Sequence, residues 1–266
     1  MCAMESTNDD LLGRKAWFLD RDGTLSIGDE KLPGADRFLN RIREIGARFF
    51  VLTNNSSKSP RGHYETLVKA GFLLEPENVL VSIEPALRHL RGRGFSRLYA
   101  LANRDLSAYI REQGFELTED SPDAILVTYD TELTYAKLET FTRLLREGRP
   151  YFATHTDVVC PTPEGGMPDA GTFIEMFRMA TGRLPERTFG KPERAFIEAK
   201  LEDLGLTLAD AVMVGDRLYT DMEMGRDSDL FTVLVLTGET TREAYEASDT
   251  PADLVTPDLD WLTERL

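Results

Sequence analysis

Residues 16–24 read Ala16-Trp17-Phe18-Leu19-Asp20-Arg21-Asp22-Gly23-Thr24, and this stretch carries the strongest structural signal in the chain. Its apolar first half predicts a buried strand, and the two carboxylates that follow bring concentrated negative charge to the end of a sheet. Such charge is costly unless a cation or a reaction uses it. Mg²⁺ prefers hard oxygen ligands and keeps several waters, so a few carboxylates and carbonyls suffice to hold it. Taken alone, the stretch also fits an ordinary Asp-Gly turn after a strand.

A second buried strand also ends in polar groups, in the run Val51-Leu52-Thr53-Asn54-Asn55-Ser56. The hydroxyl of Thr53 and the amides of Asn54 and Asn55 suit the oxygens of a phosphate, together with backbone N–H groups at a strand–helix junction. A capped loop is the simpler interpretation of this run by itself, because Asn and Ser also favour turns and helix caps.

Two later stretches repeat the pattern of a strand that ends in charged residues. In Phe189-Gly190-Lys191-Pro192-Glu193, Lys191 would point into the crevice at the strand ends and neutralise phosphate and carboxylates. A solvent-facing lysine at a helix start is the alternative, which the helix dipole disfavours. In the run from Val212 to Asp221, Asp216 would supply a further metal ligand and Asp221 would position Lys191 or a metal-bound water. A helix cap explains either aspartate singly.

Apolar strand-like runs alternate with helical patterns along the chain, which predicts an α/β fold with parallel sheets. The charged and polar motifs fall before residue 83 and after residue 186, whereas the middle carries strands with little obvious chemistry. We therefore expect a discontinuous core of residues 1–83 and 186–266 and an inserted α/β domain of residues 84–185. Within it, the Gly- and Pro-rich residues 158–171 are expected to form a loop, either a substrate contact or a structural connection.

The composition favours a soluble globular protein rather than a nucleic-acid-binding or membrane protein. The 266 residues carry a formal net charge of −15 with no basic stripe, which argues against binding to nucleic acid or anionic membranes. No apolar run approaches the ~20 residues that span a bilayer. The first fifteen residues lack the order of a signal peptide, and the two cysteines, Cys2 and Cys160, make a disulfide framework improbable. A cytoplasmic location is therefore expected.

Together these motifs resemble those of the haloacid dehalogenase (HAD) superfamily of aspartate-nucleophile hydrolases, especially its phosphatases. The inserted segment is similar to the large α/β, C2-type cap of the NagD-like, p-nitrophenylphosphatase branch. Leu32-Pro33-Gly34-Ala35 and Phe152-Ala153-Thr154-His155-Thr156-Asp157 support that branch. The resemblance covers nearly the whole chain from Lys15 onward. It implies a Rossmann-like, parallel-sheet HAD core with an inserted α/β cap domain.

The resemblance also implies a Mg²⁺-dependent phosphatase that hydrolyses small phosphorylated metabolites, such as sugar phosphates, through an aspartyl-phosphate intermediate. Asp20 would be the nucleophile, and Asp22 the general acid and base. The metal would be held by the Asp20 carboxylate, the Asp22 backbone carbonyl and Asp216. The phosphate-binding residues would be Thr53, Asn54 through its backbone N–H, Asn55 and Lys191. Caps of this branch often mediate dimers, so a homodimer through the cap is a further expectation.

Two residues depart from the pattern of the branch. Arg21 stands between the two aspartates, where an apolar residue is more common, and His155 stands where the branch commonly has Asn. We expect His155 to be a loop residue that satisfies backbone groups, with a substrate contact as the alternative. Cys160 is expected to be packed rather than reactive, although it lies in the candidate substrate loop.

Two other functions remain open from the sequence. A phosphotransferase or mutase on the same fold would need the aspartyl-phosphate shielded from water. A catalytically silent sensor of phosphometabolites would be favoured by loss of Asp20, Asp22 or Asp216, and all three are present.

Overall fold

The computed structural model describes residues 11–28, 30–162 and 165–266, with only the backbone of residues 161 and 162. The chain divides into two compact units. Unit 1 takes the described part of Met1–Leu52 together with Tyr64–Leu80 and Arg194–Leu266, and unit 2 takes Thr53–His63 and Val81–Glu193. The predicted insertion of residues 84–185 lies within unit 2, and its role as a separate cap stays a prediction. Cys2 lies outside the described residues.

Fifteen strands are present in the described part of the chain. They are β1 (Ala16–Asp20), β2 (Ser26–Ile27), β3 (Glu30–Lys31), β4 (Arg48–Thr53), β5 (Val79–Val81), β6 (Arg97–Leu101), β7 (Glu116–Leu117), β8 (Ala124–Val127), β9 (Tyr151–Ala153), β10 (Val159–Thr162), β11 (Gly165–Pro168), β12 (Arg187–Thr188), β13 (Ala211–Gly215), β14 (Phe231–Val235) and β15 (Leu254–Thr256).

The α-helices of the same residues are α1 (Ala35–Glu44), α2 (Pro60–Lys69), α3 (Ile83–Gly92), α4 (Arg104–Glu112), α5 (Tyr135–Arg146), α6 (Ala170–Thr181), α7 (Ala195–Leu204), α8 (Arg242–Glu246) and α9 (Leu259–Thr263). A π-helical turn, Leu218–Met222, follows β13. None of the helices in the described ranges combines the length and hydropathy that crossing a bilayer requires.

Unit 1 is built around a six-stranded sheet in the order β15-β14-β13-β1-β4-β5. Strand β1 lies at the centre, paired in parallel with β13 on one side and β4 on the other, with Leu19 opposite Val214 and Asp20 opposite Leu52. All five residues of β1 are buried, as expected for a central strand covered on both faces. Trp17 packs edge-on against Phe38 of α1. Because parallel strands end at the same edge, Asp20 and the residues after β13 meet there.

Unit 2 has its own five-stranded parallel sheet in the order β12-β9-β8-β6-β7. Its core includes Ile125 and Val127 of β8 and the aromatic rings of Phe141 and Phe177, whose centroids lie 4.5 Å apart. The prediction of an α/β fold with parallel sheets is confirmed.

One predicted loop is wrong. Residues 159–162 and 165–168 form an antiparallel pair of strands, β10 and β11, with Val159 opposite Pro168. The sequence hides this strand pair because Pro161, Gly165, Gly166 and Pro168 are poor strand formers. Helix α6 follows at Ala170, and Asp169 caps it by accepting the N–H of Ala170 at 2.6 Å.

Candidate active site

Three carboxylates of unit 1 converge at the end of its sheet. Asp20 ends β1, Asp216 directly follows β13, and Asp221 lies in the π-helical turn; ligand atoms from all three lie within 4.8 Å of one another. All three are buried, with at most 7% exposure. Burial, followed by the charges of Asp20 and Asp221, raises the pKa of Asp216 to about 8. A bound divalent cation would relieve the mutual repulsion of these carboxylates, since such cations take oxygen ligands of this kind.

Asp216 shows how closely this cluster is enclosed. Its Oδ2 accepts the backbone N–H of Glu239 at 2.6 Å. Its Oδ1 is buried and, among the described residues, has no hydrogen-bond partner. A Cβ added to Gly23 or Gly238 would lie 2.3 or 2.0 Å from Oδ2, so both close approaches require glycine. An orphaned carboxylate oxygen beside two other carboxylates fits a hard divalent cation.

Asp22 and Asp221, the other acidic residues predicted to belong to the site, differ in exposure and in hydrogen bonding. Asp22 is partly exposed, and its Oδ1 lies 4.0 Å from Nε of Arg21. Arg21 is itself buried and donates from a terminal nitrogen to the carbonyl of Gly28 at 2.8 Å. The carboxylate of Asp221 accepts the backbone N–H of Arg217 at 3.1 Å, which fixes the turn that carries it.

A partly buried cation, Arg217, accompanies the carboxylates, and the sequence motifs predict no role for it. Its Nε lies 3.0 Å from the carboxylate of Glu239, which also accepts the hydroxyl of Tyr219 at 3.2 Å. Burial alone would lower the pKa of Arg217, but the charges of Asp20, Tyr219, Asp216 and Glu239 together raise it above its ordinary value, so the guanidinium stays protonated. Its position directly after Gly215-Asp216 was the only sequence signal that could have found it.

The predicted phosphate-binding residues lie in unit 2, where Asn54 and Lys191 touch. Asn54 Oδ1 accepts the backbone N–H of Lys191 at 2.7 Å, and its Nδ2 donates to the Lys191 carbonyl at 3.2 Å. Thr53 ends β4 and its hydroxyl accepts the N–H of Asn55 at 3.1 Å. Lys191 is 4% exposed and is joined to Pro192 by a cis peptide bond.

Asn55 is held within its own turn and by Cys160. Its Oδ1 accepts the N–H and the hydroxyl of Ser57, at 2.9 and 2.6 Å, and its Nδ2 lies 3.5 Å from Cys160 Sγ. Cys160 is partly buried against the core of unit 2. Its proposed contact with substrate stays a prediction.

His155 is the clearest departure from expectation among the candidate residues. It is buried, and its nitrogens bond side chains rather than backbone groups: Nδ1 lies 2.9 Å from Thr154 Oγ1 and Nε2 lies 2.9 Å from Asp169 Oδ1. Burial alone would lower the pKa of His155, but the charge and hydrogen bond of Asp169 raise it above its ordinary value. His155, Asp157 and Asp169 are close enough to share a cation. The hydrogen bonds of Asp157 with Asn54 and of His155 with Asp169 account for this clustering without a cation.

Comparison with known proteins agrees with this geometry. Residues 17–116 match the family described as haloacid dehalogenase-like hydrolase, and residues 188–262 match a related HAD-hydrolase-like family. The acid sugar phosphatase of Staphylococcus saprophyticus is 31% identical over 254 residues, covering 95% of this chain and 98% of that protein. The chain belongs to the haloacid dehalogenase-like hydrolase family.

Two solved structures place it within that family. The 4-nitrophenylphosphatase of Thermotoga maritima superposes with a TM-score of 0.92 at 36% identity, over 96% of this chain and 98% of that chain. The glycerol phosphate phosphatase of Mycobacterium tuberculosis, solved in complex with magnesium, has a TM-score of 0.87 at 27% identity, covering 94% and 76%. The NagD-like resemblance is confirmed, and the chain is an enzyme of the phosphatase group of these hydrolases.

Proposed function

We propose that this HAD hydrolase is a Mg²⁺-dependent phosphatase of small phosphorylated metabolites that works through an aspartyl-phosphate. The observation that carries the proposal is the buried cluster of Asp20, Asp216 and Asp221 at one sheet edge. Related proteins named acid sugar phosphatase, 4-nitrophenylphosphatase and glycerol phosphate phosphatase support a small phosphate monoester as substrate.

The chemistry proposed for this chain divides hydrolysis into two displacements. The Asp20 carboxylate attacks phosphorus, the bond to the leaving oxygen breaks, and Asp22 gives that oxygen its proton. A water molecule then attacks the phosphoryl group while Asp22 takes its proton, which releases phosphate and frees Asp20. Thr53, Asn55, the backbone N–H of Asn54 and the Lys191 ammonium are proposed to bind the phosphoryl oxygens.

The cation would be held by the carboxylates of Asp20 and Asp216 and the backbone carbonyl of Asp22. When bound, it offsets the repulsion between the carboxylates and an anionic substrate. The unpaired Oδ1 of Asp216 supports this donor set. Homodimerisation through the inserted segment and a cytoplasmic location remain predictions from the sequence.

A panel of phosphate monoesters, assayed for released phosphate, tests the proposal. We expect turnover that EDTA abolishes and Mg²⁺ restores, with inhibition by Ca²⁺, because the larger ion accepts more ligands at longer distances. Asp20→Asn should lower kcat at least ~10³-fold, as loss of a covalent nucleophile does. Full activity after exhaustive chelation, or an Asp20→Asn variant within tenfold of the parent, would contradict the proposal.

A further inference from the structure

The side chain of Asn54 forms two hydrogen bonds with the backbone of a single residue, Lys191. Its Oδ1 receives the Lys191 N–H, and its Nδ2 faces the Lys191 carbonyl, across 137 positions of sequence. Both bonds are buried. A side-chain amide carries its acceptor and its donor on two separate atoms, so it can bind an N–H and a carbonyl of one residue at once. The pair of contacts therefore fixes the backbone of Lys191 in both position and direction.

Asp157 keeps the amide of Asn54 in that orientation, Ser82 fixes the Asn54 backbone carbonyl, and Gly190 leaves room for the contact. Asp157 accepts from Nδ2 with both carboxylate oxygens, each at 3.2 Å, so the amide cannot reverse without facing oxygen with oxygen. Ser82 donates its hydroxyl to the Asn54 carbonyl at 2.7 Å. Gly190 makes the approach possible, since a Cβ there would lie 2.5 Å from Asn54 Oδ1 and 2.7 Å from His155 Cβ.

We infer that the side chain of Asn54 is a positioning residue for Lys191, held in register by Asp157, while its backbone N–H remains for phosphate. The inference rests on the proposed role of Lys191 in binding phosphate. The Lys191 side chain has several rotatable bonds, so its ammonium is placed reproducibly only when its backbone is fixed. The Asn54 amide thus acts indirectly, because it holds the backbone of the residue whose ammonium is proposed to bind phosphate.

Equilibrium binding of orthophosphate in the presence of Mg²⁺, followed by calorimetry, tests this without relying on turnover. The variants are Asn54→Leu, Lys191→Met and the double variant. Leucine keeps the size and neutrality of Asn54 but removes both hydrogen bonds. Each single variant should weaken phosphate binding about tenfold, the scale of a charge-assisted hydrogen bond. The double variant should be no weaker than Lys191→Met, because a residue acting through Lys191 has nothing left to position.

Asn78→Leu is the matched control. Asn78 also brackets backbone groups, receiving the Glu75 N–H at 2.7 Å and donating to the Phe49 carbonyl at 2.9 Å, but in unit 1. It should lower stability while leaving the phosphate affinity unchanged.

Asp157→Ala is a second test of the inference, since Asp157 is only partly buried and its loss is easier to accommodate. It should weaken phosphate binding in the parent and not in the Lys191→Met background.

Multiplicative losses in the double variant would overturn the inference, because Asn54 would then act on phosphate independently of Lys191. Unchanged phosphate affinity in Asn54→Leu would overturn it as well, as would unchanged affinity in Lys191→Met. If Asn54→Leu fails to fold by circular dichroism, Asp157→Ala decides between the same outcomes. Failure of the proposed function appears elsewhere, as absent hydrolysis or an active Asp20→Asn variant.

Discussion

The position of the Asp216 carboxylate depends on two neighbouring glycines that carry no side chain. Gly23 and Gly238 approach its carboxylate so closely that neither can carry a side chain, and the N–H of Glu239 fixes Oδ2. Oδ2 is thereby oriented by the protein, whereas Oδ1 stays available to a cation. Neighbours that orient a metal ligand in this way often matter nearly as much as the ligand itself.

Gly238→Ala should therefore impair metal binding. The new Cβ would sit 2.0 Å from Asp216 Oδ2, and the short aspartate side chain must move to relieve the clash. We expect the Mg²⁺ concentration for half-maximal activity to rise about tenfold, as for other changes next to a metal ligand. A titration of activity against Mg²⁺ measures this.

Gly92→Ala provides the comparison for that variant. Gly92 ends α3, and nothing lies within 4 Å of a Cβ added there. Its Mg²⁺ requirement should equal that of the parent, with stability equal or slightly higher because alanine is the better helix former. Equal Mg²⁺ requirements for Gly238→Ala and Gly92→Ala would rule out the orienting role of Gly238.

At the scale of elements, a buried hydrogen-bonded pair, His155 and Asp169, connects the end of β9 to the start of α6. His155 follows β9, and Asp169 both accepts from its ring and caps α6. His155 Nδ1 continues the chain of contacts to Thr154 Oγ1, which lies 2.9 Å from Ser56 Oγ. The pair thus connects three segments of unit 2 that are distant in sequence.

This pair predicts a specific dependence of stability on pH. The pKa of His155 is raised above its ordinary 6.5, so the folded state binds this proton more tightly than the unfolded chain. Its stabilising contribution is complete below about pH 6.5 and is lost as the pH rises through the folded-state pKa. The difference in free energy of unfolding between the parent and His155→Asn should therefore shrink on going to alkaline pH.

His89 supplies a control of opposite sign. Burial, followed by the charges of Arg187 and Arg93, lowers the pKa of His89. The destabilising effect of its protonation disappears as the pH rises, so the corresponding difference for His89→Asn should change in the opposite direction. Denaturant unfolding at several pH values measures both, and a pH-independent difference for His155→Asn would disprove the predicted shift.

Most long elements were predictable because their patterns are strong. The apolar runs at β1 and β13 predict buried strands, and Gly46, Gly114 and Gly205 mark helix ends with positive φ. The short strands β2, β3 and β7 were missed because two residues give no periodicity. The β10–β11 strand pair was missed because its composition is that of a loop.

The candidate site divides in the same way. Carboxylates at strand ends follow from topology, so the grouping of Asp20 with Asp216 could be expected. Pairings such as Asn54 with Lys191 or His155 with Asp169 depend on how side chains meet across the fold. Spacing along the chain contains no information on such contacts, and the assigned partner of His155 was accordingly wrong.

At the scale of the whole molecule, replacing residues 84–185 by a short Gly/Ser bridge should separate Mg²⁺ binding from substrate specificity. The acidic cluster of unit 1 stays, so Mg²⁺ binding should survive in the folded truncation. Strands β6 to β9 and Asp157 are lost while Thr53, Asn54 and Lys191 remain, so phosphate binding should weaken and the parent's ranking of substrates should be lost. Calorimetry with each ligand, after circular dichroism confirms folding, measures the outcome. A truncated protein with the parent's ranking of substrates would show that specificity lies outside this segment.

The positions of the two tryptophans give the molecule an uneven optical signature. Trp17 lies in β1 and Trp261 in α9, with the guanidinium of Arg265 over its ring, and both belong to unit 1. Intrinsic indole emission therefore reports on one half of the fold, whereas peptide absorption in the far ultraviolet reports on both. Superimposing the two melting curves reveals directly whether the halves unfold in one cooperative event or in succession.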